Sequence, residues 1–297
     1  MSVASFAPAS PRAVEILFRI VLRCRLFAAA AAAVPSRTPR PLTLVMLRER
    51  AHFTRSRDGT RIECVITDDA TLAPSTAPRD WFVLVHAHPK LGGNRQMMRP
   101  LALALARRGF GSVCVALRGT SGSLGSSSWR GTREEGEDVC AAADLVIDGT
   151  CAGGDARARV HLIGYSYGST VCAYALGQRS CIASYVAIGY PRGSYGCGLF
   201  GVGAKWLMRD HASTLTEDET TPKLFVHPSR DEFTTVKTME RFVSEKLSSR
   251  GVKALRVLEG AGHFAFVQDA AAAEAAVEWI VEFVESLTPK EDARDSQ

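Results

Sequence analysis

Near the middle of the chain, Gly164-Tyr165-Ser166-Tyr167-Gly168 sets a serine between two glycines. A mostly apolar run, Val160-His161-Leu162-Ile163, precedes it, and an alanine-containing segment with helical spacing follows. That order reads as strand, sharp turn and helix, with the serine at the apex in a strained conformation and its hydroxyl directed away from the sheet. A Cβ at either flanking glycine would collide where the helix folds back on the strand. The chemistry available to such a serine is attack on an acyl carbon. A hydroxyl is too weakly acidic to do this unaided, so it needs a general base within hydrogen-bond reach and a carboxylate to orient that base.

In a parallel sheet these groups collect where the carboxyl ends of the strands open into loops. Two loops qualify. A strand over 223–227 runs into Pro228-Ser229-Arg230-Asp231-Glu232-Phe233 and places Asp231 just past its end, with Glu232 adjacent and directed roughly the other way. A strand over 254–258 runs into Glu259-Gly260-Ala261-Gly262-His263-Phe264, so that His263 sits in a glycine-rich turn before the last helix. The other six histidines have weaker claims: His52 opens the domain, His161 and His227 lie within or at the ends of strands, His211 is in an irregular stretch, and His86 and His88 share a different loop.

The elements that must position these residues alternate regularly. A hairpin is expected around Asp58-Gly59 (strands 52–56 and 62–67), followed by strands at 81–86, 112–117, 160–163, 185–188, 223–227 and 254–258. Helices are expected at 97–108, 134–148, 169–176, 235–249 and 270–287, with an irregular, glycine-rich stretch over 189–222. Strand-helix alternation with short connections is the signature of a mainly parallel sheet covered on both faces, an α/β fold.

The order Ser166, Asp231, His263 around such an elbow resembles the α/β-hydrolase superfamily. His86-Ala87-His88-Pro89 followed by Gly92-Gly93 resembles its oxyanion loop after the third strand, with Ala87 where glycine is usual. Leu117-Arg118-Gly119-Thr120-Ser121-Gly122-Ser123 resembles the loop after the fourth. Within the superfamily the chain is similar to small esterase-like members related to the serine aminopeptidase and X-Pro dipeptidyl-peptidase-type hydrolases. The resemblance implies a carboxylesterase-like serine hydrolase with Ser166 as nucleophile, His263 as base and acid, and Asp231 as orienting carboxylate. It implies oxyanion donors at the Tyr167 and His88 backbone N–H groups, with Lys90 or Leu91 as fallbacks, since Pro89 has no N–H. A peptidase or thioesterase on the same triad, or a non-catalytic scaffold of this fold, are the alternatives. No cofactor or metal is required, although the His86/His88 pair admits a metal reading. Arg118 is either a structural partner of a carboxylate or a binder of an anionic substrate. Tyr165 and Tyr167 read as packing residues beside the pocket.

The 297 residues carry a net charge of +5, yet residues 1–50 alone hold eight arginines against Glu15 and Glu49, so the remaining 247 balance near −1. No basic patch for nucleic acid is visible in the body of the protein. Residues 1–51 read as a targeting or disordered leader: Arg12, Glu15, Arg19 and Arg23 line one helical face opposite Val14, Leu17, Phe18 and Val21, a composition typical of an organellar transit peptide. A secretory signal built on 26–34, or initiation at Met46 in the cytoplasm, are the rival readings, and Arg19, Arg23 and Arg25 interrupt any membrane-spanning run. Eight cysteines without a C-x-x-C pair point to reduced thiols inside a cell. The hydrolase domain is expected over 52–288 and a polar tail over 289–297. The region available for a cap, 192–222 with Trp206, Leu207 and Met208, is short, which favours an open pocket for a small acyl substrate.

Overall fold

The structure, a computed structural model, describes residues 46–70, 79–129, 131–151, 157–192, 209–248 and 250–287. The leader helix expected around 12–23, the cap residues Trp206, Leu207 and Met208, and the tail 289–297 lie outside the described residues.

Strands of continuous apolar residues can be satisfied only when both faces are covered. In β3 (Asp80–Val85), β4 (Gly111–Val115), β5 (Arg159–Tyr165), β6 (Ile182–Ile188) and β7 (Lys223–Pro228), alternate side chains divide between two cores. Val83, Val85, Leu162, Tyr185 and Phe225 enter one core, with α2 (Arg133–Ile147), α3 (Tyr167–Ala175) and α5 (Val236–Glu245). Phe82, Leu84, Ile163, Tyr165, Val186 and Leu224 enter the other, with α1 (Arg99–Ala106), α6 (Ala265–Gln268) and α7 (Ala270–Ser286). With β1 (Leu47–Arg55), β2 (Arg61–Asp69) and β8 (Lys253–Leu258) they form an eight-stranded sheet in the order β1-β2-β4-β3-β5-β6-β7-β8. β1–β2 and β2–β4 are antiparallel and every other pair is parallel. This is the expected α/β architecture, with β5 in the interior of the sheet.

Several elements differ from the sequence expectation, β1 foremost. β1 begins at Leu47, five residues before the expected domain start at 52. It is an edge strand exposed on most of its length, so no apolar alternation announces it, and its start is held by charge: Arg48 and Arg50 both pair with Asp68 across the ladder, at 2.8 and 3.0 Å. The stretch expected to be irregular contains α4 (Arg209–Glu217). Among its residues Leu215 is fully buried in the first core, so a single apolar anchor replaces the period that would have signalled a helix. Among the described residues no helix is long and apolar enough to cross a membrane.

Arg118, just after β4, proves to be structural. Its guanidinium reaches Asp138 on α2 through Nε (3.0 Å) and Nη2 (2.7 Å), Asp58 in the β1–β2 turn through Nη1 (2.9 Å), and the Glu134 carbonyl. It ties the hairpin, the β4 loop and α2 together. The Asp138 side chain is fully buried, and burial pushes its carboxyl up despite Arg118. Removing one member of a buried pair leaves an uncompensated charge. Arg118→Leu is therefore expected to destabilise the fold by about 3–5 kcal/mol, read as a drop in the denaturant midpoint. A change below about 1 kcal/mol, the scale of a surface pair, would show that Asp138 finds another partner.

Candidate active site

Ser166 stands between β5 and α3 at φ 51° and ψ −122°, a left-handed conformation that L-residues rarely adopt. Close packing holds it there. A Cβ on Gly164 would lie 2.2 Å from the Ser169 Cα, and one on Gly168 would lie 2.3 Å from the Val85 carbonyl oxygen. Both glycines are thus required for α3 to fold back on β5 and for the elbow to press against the loop after β3. The Ser166 N–H donates to the Ile188 carbonyl (2.8 Å), so it is not available to a ligand.

The loops after β7 and β8 meet at this serine. His263 Nε2 is 2.9 Å from Ser166 Oγ, and His263 Nδ1 is 2.7 Å from Asp231 Oδ2. The other carboxylate oxygen, Oδ1, accepts the N–H groups of Phe233 (2.7 Å) and Thr234 (2.8 Å). Burial pushes the Asp231 carboxyl up, but the hydrogen bonds from His263 and the Phe233 N–H outweigh it and hold the group below the usual range. An ionised Asp231 fixes the proton of the neutral ring on Nδ1 and leaves the Nε2 lone pair facing the serine hydroxyl. Phe233, Phe264 and Tyr165 surround the His263 ring at 4.5, 5.2 and 5.7 Å between centroids, and the residue is 2% exposed.

The neighbour of Asp231 has a different task. Glu232 Oε2 accepts the backbone N–H of His263 (2.9 Å), while Tyr165 Oη donates to the His263 carbonyl (2.9 Å). The histidine's backbone is therefore gripped at both ends. Sequence reasoning weighed Glu232 only as a rival acid, and adjacency to Asp231 was its sole signal. Glu135 was missed. It is fully buried and accepts the hydroxyls of Tyr167 (2.9 Å) and Ser128 (3.1 Å), which anchors the residue after the serine to α2. Its legible signal was the Thr132-x-x-Glu135 capping box.

In the loop after β3, the His86 Nδ1–H donates to the Ala87 carbonyl (2.7 Å) and its Nε2 accepts the Leu117 N–H (3.2 Å). His88 Nδ1 accepts the Lys90 N–H (3.1 Å), and the Leu91 N–H donates to the His88 carbonyl (3.0 Å). These bonds hold both rings to the backbone, which disfavours the metal reading. They also engage the two fallback oxyanion donors, leaving the backbone N–H groups of His88 and Tyr167 as the pair to consider. The His88 ring packs between Tyr167 (4.3 Å) and Trp129 (5.0 Å).

A second set of the same residue types lies at the opposite ends of the strands. His161 joins Ser184 Oγ through Nδ1 (2.7 Å) and Asp80 Oδ1 through Nε2 (2.9 Å). Here the two ring nitrogens exchange roles, Ser184 is fully buried, and its backbone is paired with β5 in the sheet. No substrate reaches that hydroxyl, so the set is a buried brace.

No family model matches the chain and no curated protein matches it. Solved structures do. An esterase from Pyrococcus furiosus superposes with a TM-score of 0.63 at 19% identity, over 87% of this chain and 99% of that one. An α/β serine hydrolase without a lid, from Xanthomonas campestris, gives 0.59 at 19% over 82% and 96%. An α/β serine hydrolase homologue from Coxiella burnetii gives 0.56 at 20% over 78% and 97%.

Burial holds His86 and His88 down at about 4. The unfolded chain takes up these protons near pH 6.5 and the folded chain does not, so their contribution to stability is complete above about pH 6.5 and is lost as pH falls toward about 4. Each histidine removes about 1.4 kcal/mol per pH unit in that window. Urea unfolding compared at about pH 7.5 and about pH 5 should show this loss, and His86→Gln should remove about half of it, leaving the share of His88. An unchanged slope in the variant would mean that His86 is protonated in the fold.

Proposed function

The chain has the α/β-hydrolase fold, and on that premise we propose that it is a serine hydrolase that cleaves carboxylic esters through an acyl-enzyme. The observation that carries this reading is the unbroken relay from Asp231 Oδ2 through His263 to the hydroxyl of a serine held at φ 51°. The solved structures that share the fold, an esterase and a serine hydrolase without a lid, support it.

The steps follow from the proton positions. As Ser166 Oγ attacks the acyl carbon, its proton moves to His263 Nε2, and Asp231 stabilises the imidazolium. The tetrahedral oxyanion is received by the N–H groups of Tyr167 and His88. His263 then gives its proton to the departing alkoxide. A water molecule enters, loses a proton to the same nitrogen and attacks the acyl-Ser166 ester; as the adduct collapses, His263 returns that proton to Ser166 Oγ, releasing the acid and restoring the serine.

A fluorophosphonate probe tests this directly: the wild type and Ser184→Ala should be labelled, and Ser166→Ala should not. Folded wild type that stays unlabelled would instead indicate a non-catalytic scaffold. Asp231→Asn should lower turnover by about four orders of magnitude by losing the correct tautomer. Glu232→Gln should be mild, because an amide oxygen can still accept the His263 N–H. The reverse ranking would move the acid to Glu232.

The short connection between β6 and β7, which contains α4 with its anchor in the core, supports a small acyl substrate. Each buried methylene is worth about 0.8 kcal/mol, so a long acyl pocket would make kcat/KM climb steeply along a series of esters. We expect a flat or falling series from acetate upward. A steep rise to decanoate would show that a wall for the chain exists.

A further inference from the structure

We infer that His227 is a positioning residue of the relay, holding the Thr234 carbonyl so that the Thr234 N–H can hold Asp231; this rests on the serine-hydrolase reading above. His227 is the penultimate residue of β7 and is fully buried. Its Nε2 lies 2.8 Å from the Thr234 carbonyl oxygen. A carbonyl only accepts, so Nε2 carries the proton. This bond spans seven residues and closes the turn that bears Asp231.

Thr234 is the junction of the turn. It is 2% exposed, its N–H donates to Asp231 Oδ1 (2.8 Å), and its Oγ1 accepts the Arg192 N–H (2.7 Å). With the Phe233 N–H also on Oδ1, that oxygen is occupied and Oδ2 is left to face His263. Thr234 is therefore held by His227 through the carbonyl of the 234–235 peptide and binds the carboxylate through the N–H of the 233–234 peptide. Releasing the carbonyl frees rotation about the Thr234 backbone between these two peptides, which loosens the N–H on Oδ1 and lets Asp231 turn away from His263 Nδ1.

The ring does this without adding charge. Among the described residues its buried Nδ1 has no hydrogen-bond partner, so a second proton would find no acceptor there. Burial also keeps the pKa below the usual histidine value. A charged His227 would compete with His263 for the charge of Asp231, whereas a neutral one supplies only a directional N–H.

Three side chains separate positioning from packing. In Gln the amide nitrogen reaches the place of Nε2, in Asn it reaches only that of Nδ1, and Met matches Gln in length without a donor. We measure kcat and KM on a short-chain ester, thermal stability, and the low-field proton resonance of His263 Nδ1–H, assigned by its absence in His263→Ala. His227→Asn and His227→Met should each lose about ten- to a hundredfold in kcat with KM little changed, as expected for a misplacement of about 1 Å. Their Nδ1–H resonance should shift or broaden, and His227→Gln should recover most of both. If Asn does not fold, the Gln and Met pair decides. Wild-type kcat and resonance in folded Asn or Met variants would overturn the inference, as would equal impairment of Gln and Met. If the wild type shows no fluorophosphonate labelling, the hydrolase reading fails by itself, while the resonance still reports whether His227 holds Asp231 on His263.

Discussion

The backbone of Ser166 is the constraint on which the rest of the site depends. A non-glycine residue at φ 51° and ψ −122° costs roughly 1–3 kcal/mol and persists only where its surroundings over-determine it. Here they do so from three directions. The missing Cβ atoms of Gly164 and Gly168 let α3 and the loop after β3 close in, and the serine N–H is fastened to β6 through Ile188. β5 pairs on one side with β3 and on the other with β6, so the two neighbouring loops arrive at the serine as a result of strand order. The hydroxyl is exposed to the site because the sheet leaves the chain no other route into α3.

Asp231 and His263 are located by a different means. Their loops follow β7 and β8, and each loop is tied to the other more than to the serine. The Arg230 N–H donates to the Ala261 carbonyl, the Gly260 N–H to Ser229 Oγ, and the His263 N–H to Glu232. Asp231 and His263 therefore move as one body, and the bond between them forms in a preset frame. The aromatic rings of Phe233, Phe264 and Tyr165 keep water from the imidazole, which strengthens its interaction with the ionised carboxylate. Preorganisation of this kind would leave little rearrangement for the proposed proton transfer.

Much of this was legible in the residue order. The elbow could be read because glycine spacing reports steric closeness, and Asp231 and His263 could be read because each follows an apolar strand. The parallel sheet was legible because strands buried on both faces lose their polar alternation. What escaped were features set by tertiary contact. The start of β1 depends on Asp68, about twenty residues away, and α4 depends on one leucine meeting the core. Glu232 differs from Asp231 only in where the turn points it. His227 looked like an unremarkable strand-end histidine because its partner, Thr234, is brought to it by a turn whose shape the sequence does not spell out.

The buried Asp80–His161–Ser184 set has a mechanical consequence. It joins the first residue of β3 to β5 and β5 to β6, with Arg159 adding a two-point grip on Asp80, at the end of the sheet away from Ser166. A one-residue slip of a strand would send each of its side chains to the opposite face. Slip of β5 would strand a buried imidazole among aliphatic groups, and the irregular step between Val160 and His161 sits where that slip would begin. The sheet is thus clamped at its closed end like a board in a vice. Adjustment to a bound molecule then falls to the loops at the free end, and the strands that carry them keep their register.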